Sequence, residues 1–193
     1  MRTILRFGFA ITLGLASFIL APSAQAGAVR ADVAAKVSGR YTSASGLGSA
    51  SFDLGQEALI QFAPGTGAGK ADLVFADRRT LAASATENLD LAGALTDPVG
   101  GAAVFGHVKA IYITAKLANT NSVVVGGAAS NFFVGPFGGT TPTFTLPPGG
   151  ALLLTHPGAG WTVTASTGDL LKIANSSSGT SVQYDVVIIG TSN

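Results

Sequence analysis

Turn-forming pairs punctuate the second half of this chain so often that no long helix has room to form between them there. Gly65-Thr66-Gly67, Pro98-Val99-Gly100-Gly101, Gly126-Gly127, Gly135-Pro136-Phe137-Gly138-Gly139, Pro147-Pro148-Gly149-Gly150, Pro157-Gly158 and Ser178-Gly179 follow one another, the last five starting only about 9 to 21 residues apart. A helix needs apolar residues at three- and four-residue spacing over ten or more positions. After residue 36 almost every such window is broken by Gly, Pro or a β-branched cluster.

Between the turns the signal is one of alternation. Val108 to Lys116 places Ala110, Tyr112 and Thr114 on one face and Ile111, Ile113 and Ala115 on the other; Ser181 to Ile189 places Val182, Tyr184, Val186 and Ile188 together. Shorter candidate strands are Ser51 to Leu54, Ala58 to Phe62, Leu73 to Phe75, Asn88 to Leu91, Ser122 to Val125, Thr143 to Leu146, Ala151 to Thr155, Thr162 to Ala165 and Leu170 to Ala174. Many short strands with frequent turns predict an all-β chain, an antiparallel β-sandwich with a jelly-roll-like topology. With 47% hydrophobic residues and 11% charged, the chain can bury a core, and with no cysteine that core has no disulfide or thiolate metal site to help it. The abundance of Ala, Gly, Ser and Thr predicts outer faces that are weakly polar and suited to protein contact.

The N-terminus has its own pattern. Arg2 and Arg6 precede an apolar run from Phe7 to Leu20, followed by Ala24-Gln25-Ala26, the order of a secretory signal. The run falls short of the roughly 20 residues a bilayer core requires, and Pro22 closes it, so any membrane contact is expected to be transient. The expected organisation is a signal-peptide-like segment or N-terminal arm at 1–26, an arm or edge strand at 27–48, and a β-sandwich domain at 49–193. Cleavage after Ala26 removes two of the 11 basic residues and none of the 10 acidic ones, taking the formal charge from +1 to −1. Neither value gives the basic field that nucleic acid requires.

No chemical motif completes itself. Pro64-Gly65-Thr66-Gly67-Ala68-Gly69-Lys70-Ala71 resembles a phosphate-binding loop. Pro64, however, stands where the first glycine belongs, Ala71 replaces the magnesium-binding hydroxyl, and a strand-like Leu73-Val74-Phe75 follows instead of a helix. The two histidines, His107 and His156, lie one beside a strand and one before Pro157, without a carboxylate spaced to complete a metal site. Glu87 and Asp90 form the closest carboxylate grouping, for which a capping or turn role is expected over paired acid–base work. No G-x-S-x-G elbow occurs. The expectation is therefore no catalytic, metal or cofactor residues, no cofactor and no small-molecule substrate. Phe132, Phe133, Phe137 and Phe144, with Trp161, leave two roles open: a sugar platform or subunit contact, or core plugs beneath glycine-rich loops.

Four segments in order carry a resemblance: Ala71 to Gly93, His107 to Ile111, Val123 to Asn131, and Gly168 to Asn175 leading to Tyr184 to Thr191. Together they resemble small β-rich virion structural proteins of tailed bacteriophages and prophages, over about residues 50 to 193. The resemblance implies a non-enzymatic capsid decoration or cement subunit that binds the major capsid protein or other virion proteins. It also implies assembly as a homo-trimer and location in the virion, and it brings no catalytic residues. A secretory start departs from that pattern. Three resolutions stand: 1–26 is retained as an arm, the start lies too far upstream, or the module serves the envelope. The last makes the alternative a secreted or envelope-associated binding module for glycan or cell surface, periplasmic or extracellular after cleavage following Ala26. A hydrolase, the third class, requires His107 or His156 in a cleft with an acid and a nucleophile.

Overall fold

A computed structural model describes residues 28–46, 48–93 and 95–192. The leader-like segment 1–26 lies outside the described residues. Among those described there is no helix, and the chain is an all-β, antiparallel sandwich carrying a long hairpin.

One sheet has β4 (Leu73–Leu81) at its edge, then β12 (Val182–Thr191) and β6 (His107–Ala115); β9 (Ala151–Thr155) and the short β10 (Trp161–Thr162) share the far side of β6. The facing sheet runs β5 (Thr86–Asp90), β11 (Leu170–Asn175), β7 (Val123–Gly126) and β8 (Thr143–Leu146). Every pairing within these two sheets is antiparallel. Alternation decides what each strand buries. Val182, Tyr184, Val186 and Ile188 of β12 are fully buried, and meet Ile111 and Ile113 from β6 and Leu171 and Ile173 from β11 in one continuous core.

The pattern breaks once, to effect. Between Ile189 and Gly190 the register of β12 against β6 shifts: Ile189 pairs with Ala110, but Gly190 pairs with Val108, leaving Lys109 without an opposite number. This is a β-bulge, and the extra residue reverses the faces beyond it. Val108 thereby joins the main core, while Lys109 turns away from it. Gly190 sits where the strands close up: a Cβ there would lie 2.2 Å from the His107 carbonyl oxygen and 2.8 Å from the Phe105 ring.

The open side of the sandwich, where edge strands β4 and β5 face each other, is closed by polar groups. Arg79 Nε donates to Glu87 Oε2 at 2.7 Å, and the buried Tyr184 hydroxyl donates to Glu87 Oε1 at 2.6 Å. Inward-pointing charge on an edge strand also discourages pairing with foreign strands. Glu87 thus ties the sheets together instead of capping a turn. Asp90 alone takes the turn role, accepting from the Ala92 amide at 3.1 Å.

Strands β1 (Ala31–Ser45) and β2 (Gly48–Pro64) pair along their whole length, from Ala31 opposite Phe62 to Ser45 opposite Gly48. The segment expected as an arm or edge strand therefore has its partner in residues 48–62, of which all but Gly48 were expected to belong to the sandwich at 49–193. Ser51 to Leu54 and Ala58 to Phe62, expected as separate strands, are parts of β2. At its foot, β2 pairs in parallel with β3 (Lys70–Ala71).

Candidate interaction surface

In an antiparallel pair, directly opposed residues share a face. Applied to the hairpin register, this puts Ala31, Val33, Ala35, Val37, Gly39 and Tyr41 with Phe62, Ile60, Ala58, Gln56, Leu54 and Phe52 on one side. That side is apolar apart from Gln56 until Ser43 near the tip. The opposite side carries a charged or amide side chain at every fourth position, each paired across the strands. Arg40 donates to Asp53 at 2.6 Å, Lys36 lies 3.9 Å from Glu57, and Gln61 donates to Asp32 at 3.3 Å. The Arg40 bond lowers the Asp53 pKa below its ordinary range and raises that of Arg40.

Only the root of the apolar side is covered. Phe62, Ile60, Val33 and Ala31 pack against Val74, Val187, Ala110 and Ile189 on the outer face of the β4-β12-β6 sheet. Beyond Ala34 on β1 and before Ile60 on β2, every residue whose burial is described is exposed. Val37 is 61% exposed, Tyr41 70%, Phe52 64% and Leu54 44%. A paired stretch of 11 residues spans about 37 Å at strand rise, so the hairpin stands well clear of the body. Two-stranded hairpins are at best marginally stable alone in water, and contiguous apolar patches of this extent mark contact surfaces.

The other candidates resolve into structural parts. The glycine-rich loop at 64–71 is a tight turn closed by its own backbone, Gly65 N donating to Ala71 O at 3.1 Å and Lys70 N to Gly67 O at 3.1 Å. Its carbonyls at Gly67 and Lys70 accept from Lys109 Nζ, whose side chain is only 1% exposed. Burial pushes the Lys109 pKa down, with Asp72 opposing the shift. The loop's carbonyls point at an internal ammonium, which is the opposite of a cradle for phosphate. His107 opens β6, opposite Thr162 and Thr191. His156 accepts from the Gly160 amide at 3.1 Å and stacks edge-on against Trp161 with centroids 5.5 Å apart. Among the described residues no three His, Asp or Glu converge.

The aromatic group divides. Phe133 is a core residue, and Trp161 packs on the core while pressing on Gly135, where a Cβ would come within 2.5 Å of it. Phe132, Phe137 and Phe144 form a row with centroids 5.2 and 5.7 Å apart, in which Phe144 is partly exposed. Phe132 also borders an open cavity of about 750 Å³ lined by Ser130, Asn131, Thr140, Thr141, Thr164 and Thr167. Its rim offers hydroxyl and amide groups.

The hairpin is the surface that sequence reasoning missed. Its signal was present as two polar rows of period four, Asp32, Lys36 and Arg40 against Asp53, Glu57 and the amide Gln61, which match only when the strands are folded upon each other. Comparisons of the chain with protein-family models, with curated proteins and with solved structures give no significant match.

Proposed function

We propose that this chain is a non-enzymatic structural subunit of a virion, a capsid decoration or cement protein that stabilises the head through protein–protein contacts. The observation that carries the reading is the projecting hairpin with one apolar face and one polar face whose two cations are both ion-paired across the strands. A sandwich built only to fold would not expose Val37, Tyr41, Phe52 and Leu54 in one stripe, because each forfeits hydrophobic stabilisation until something covers it. The strand order supports a jelly-roll topology. Taking β4 to β9 with β11 and β12 as eight strands, one sheet runs β4-β12-β6-β9 and the other β5-β11-β7-β8, the pairing of two interlocked Greek keys used by many capsid domains.

The test is co-sedimentation with capsids encoded beside the gene. The chain is expected to pellet with them and to saturate at a fixed ratio of chain to capsid subunit. Failure of the unaltered chain to bind would overturn the assignment.

A second reading, a secreted or envelope-associated module for glycan or cell surface, draws on the hydroxyl-lined cavity beside Phe132. It requires processing after Ala26, which mass spectrometry of the mature N-terminus detects, and intact Met1 in assembled particles would oppose it.

A further inference from the structure

We infer that the free apolar face of the hairpin docks on the same face of a second copy of this chain, an inference that rests on the assembly-subunit reading above. Three features of the face favour its own likeness over a foreign partner.

First, it is electrically neutral, and the charges behind it are spent within the hairpin: Arg40 on Asp53 and Lys36 on Glu57. Two such faces meet without like-charge repulsion, since the one hairpin charge without an ion-pair partner, Asp32, sits at the covered root.

Second, the relief is self-complementary. Gly39 leaves a gap between Val37 and Tyr41, and a side chain added there would meet nothing within 4 Å. Directly across from the gap stands Leu54, 44% exposed. Knob and hole therefore lie side by side on one surface, the arrangement an isologous contact needs, since each copy then offers Leu54 to the other's Gly39.

Third, the area suffices. Scaled by their exposures, Val37, Tyr41, Phe52 and Leu54 leave on the order of 500 Å² free, and the exposed Ala35, Ala50, Gln56 and Ala58 beside them bring the face toward the roughly 800 Å² that each partner contributes to a standard interface. The same face already packs on apolar surface at its root, so the proposed contact continues a packing that the molecule uses internally.

The chain has no cysteine, so single thiols report position without background. Gln56→Cys lies on the apolar side next to the Leu54 knob and outside the hole, and its neighbour Gly55→Cys lies on the charged side, where an added side chain meets nothing within 4 Å. Under mild oxidation of the full chain, Gln56→Cys is expected to form a covalent dimer at least tenfold faster than Gly55→Cys. In sedimentation, Tyr41→Asp combined with Phe52→Asp should shift the chain to monomer while its circular dichroism remains that of the unaltered sandwich. The inference fails if the unaltered chain sediments as monomer at tens of micromolar, if the two thiols cross-link equally, or if the double variant, still folded, keeps its assembly state. The two failures are separable. Capsid binding by a chain that stays monomeric would leave the subunit reading standing without this inference, whereas hairpin-mediated self-association without capsid binding would do the reverse.

Discussion

Gly190 shows how much of the architecture can rest on the absence of a side chain. It is the point at which β12 must approach the His107 carbonyl closely enough to absorb the bulge that Lys109 makes in β6. Gly190→Ala places a methyl group in contact with backbone on one side and the Phe105 ring on the other. Neither can swing aside as a flexible side chain would, so the strands must separate. The expected cost is about 3 kcal/mol or more, measured by urea denaturation. A cost below about 1 kcal/mol would show that the strand pair relaxes freely here. Nothing in the Val108 to Lys116 stretch announces this bulge. The alternation of Ala110, Tyr112 and Thr114 against Ile111, Ile113 and Ala115 holds as expected, and a lysine before it is consistent with an exposed position on an ordinary strand. Lys109 is buried because two carbonyls from a distant loop converge on it, a long-range arrangement without a local sequence signature.

At the scale of elements, legibility followed burial. Strands β6 and β12, with long runs of core residues, were apparent from their alternation, and Thr143–Leu146 and Ala151–Thr155 were apparent with their ends because Pro142, Pro147-Pro148-Gly149-Gly150 and Pro157 bound them. The hairpin strands are the longest in the molecule and were the least visible. Their apolar side is diluted by Ala35, Gly39, Ala50 and Ala58, and Gly55-Gln56 interrupts β2 where a strand would be expected to stop. Elements are also held by charge. Asp185 of β12 accepts from Arg78 of β4 at 2.7 Å and from Lys116 just beyond β6, linking three neighbouring strands. These partners, the Arg78 hydrogen bond foremost, hold the Asp185 pKa at about 2. Because this folded-state value lies below the unfolded one of about 3.9, the contribution to stability is complete above that value and is lost as pH falls toward 2. Asp185→Asn should therefore lower the melting temperature at neutral pH and flatten its decline between about pH 4 and 2. An unchanged acid limb in a thermal melt series would mean that the triad does not act as described.

At the scale of the whole molecule, the all-β sandwich was legible because its turn punctuation and core alternation are local properties that survive without knowledge of which strand pairs with which. The exposed apolar face was not legible for the complementary reason: an amphipathic ribbon emerges only from the register of Ala31–Ser45 against Gly48–Pro64. The candidates that sequence did isolate turned out to be supports. The glycine-rich loop seats Lys109, His156 orders the Gly160 turn, and Glu87 closes the open edge of the sandwich. Other apolar side chains such as Val99 and Leu117 are exposed too, but the hairpin's stripe sets Val37, Tyr41, Phe52 and Leu54 side by side. Its role as a protein contact is tested most directly by amide hydrogen exchange across the β1 and β2 pairing, followed as the purified chain is diluted. Contact between copies predicts protection that falls at least tenfold on dilution in the free portion of the hairpin while that of β6 and β12 stays constant. Protection in the hairpin that is independent of concentration would contradict it.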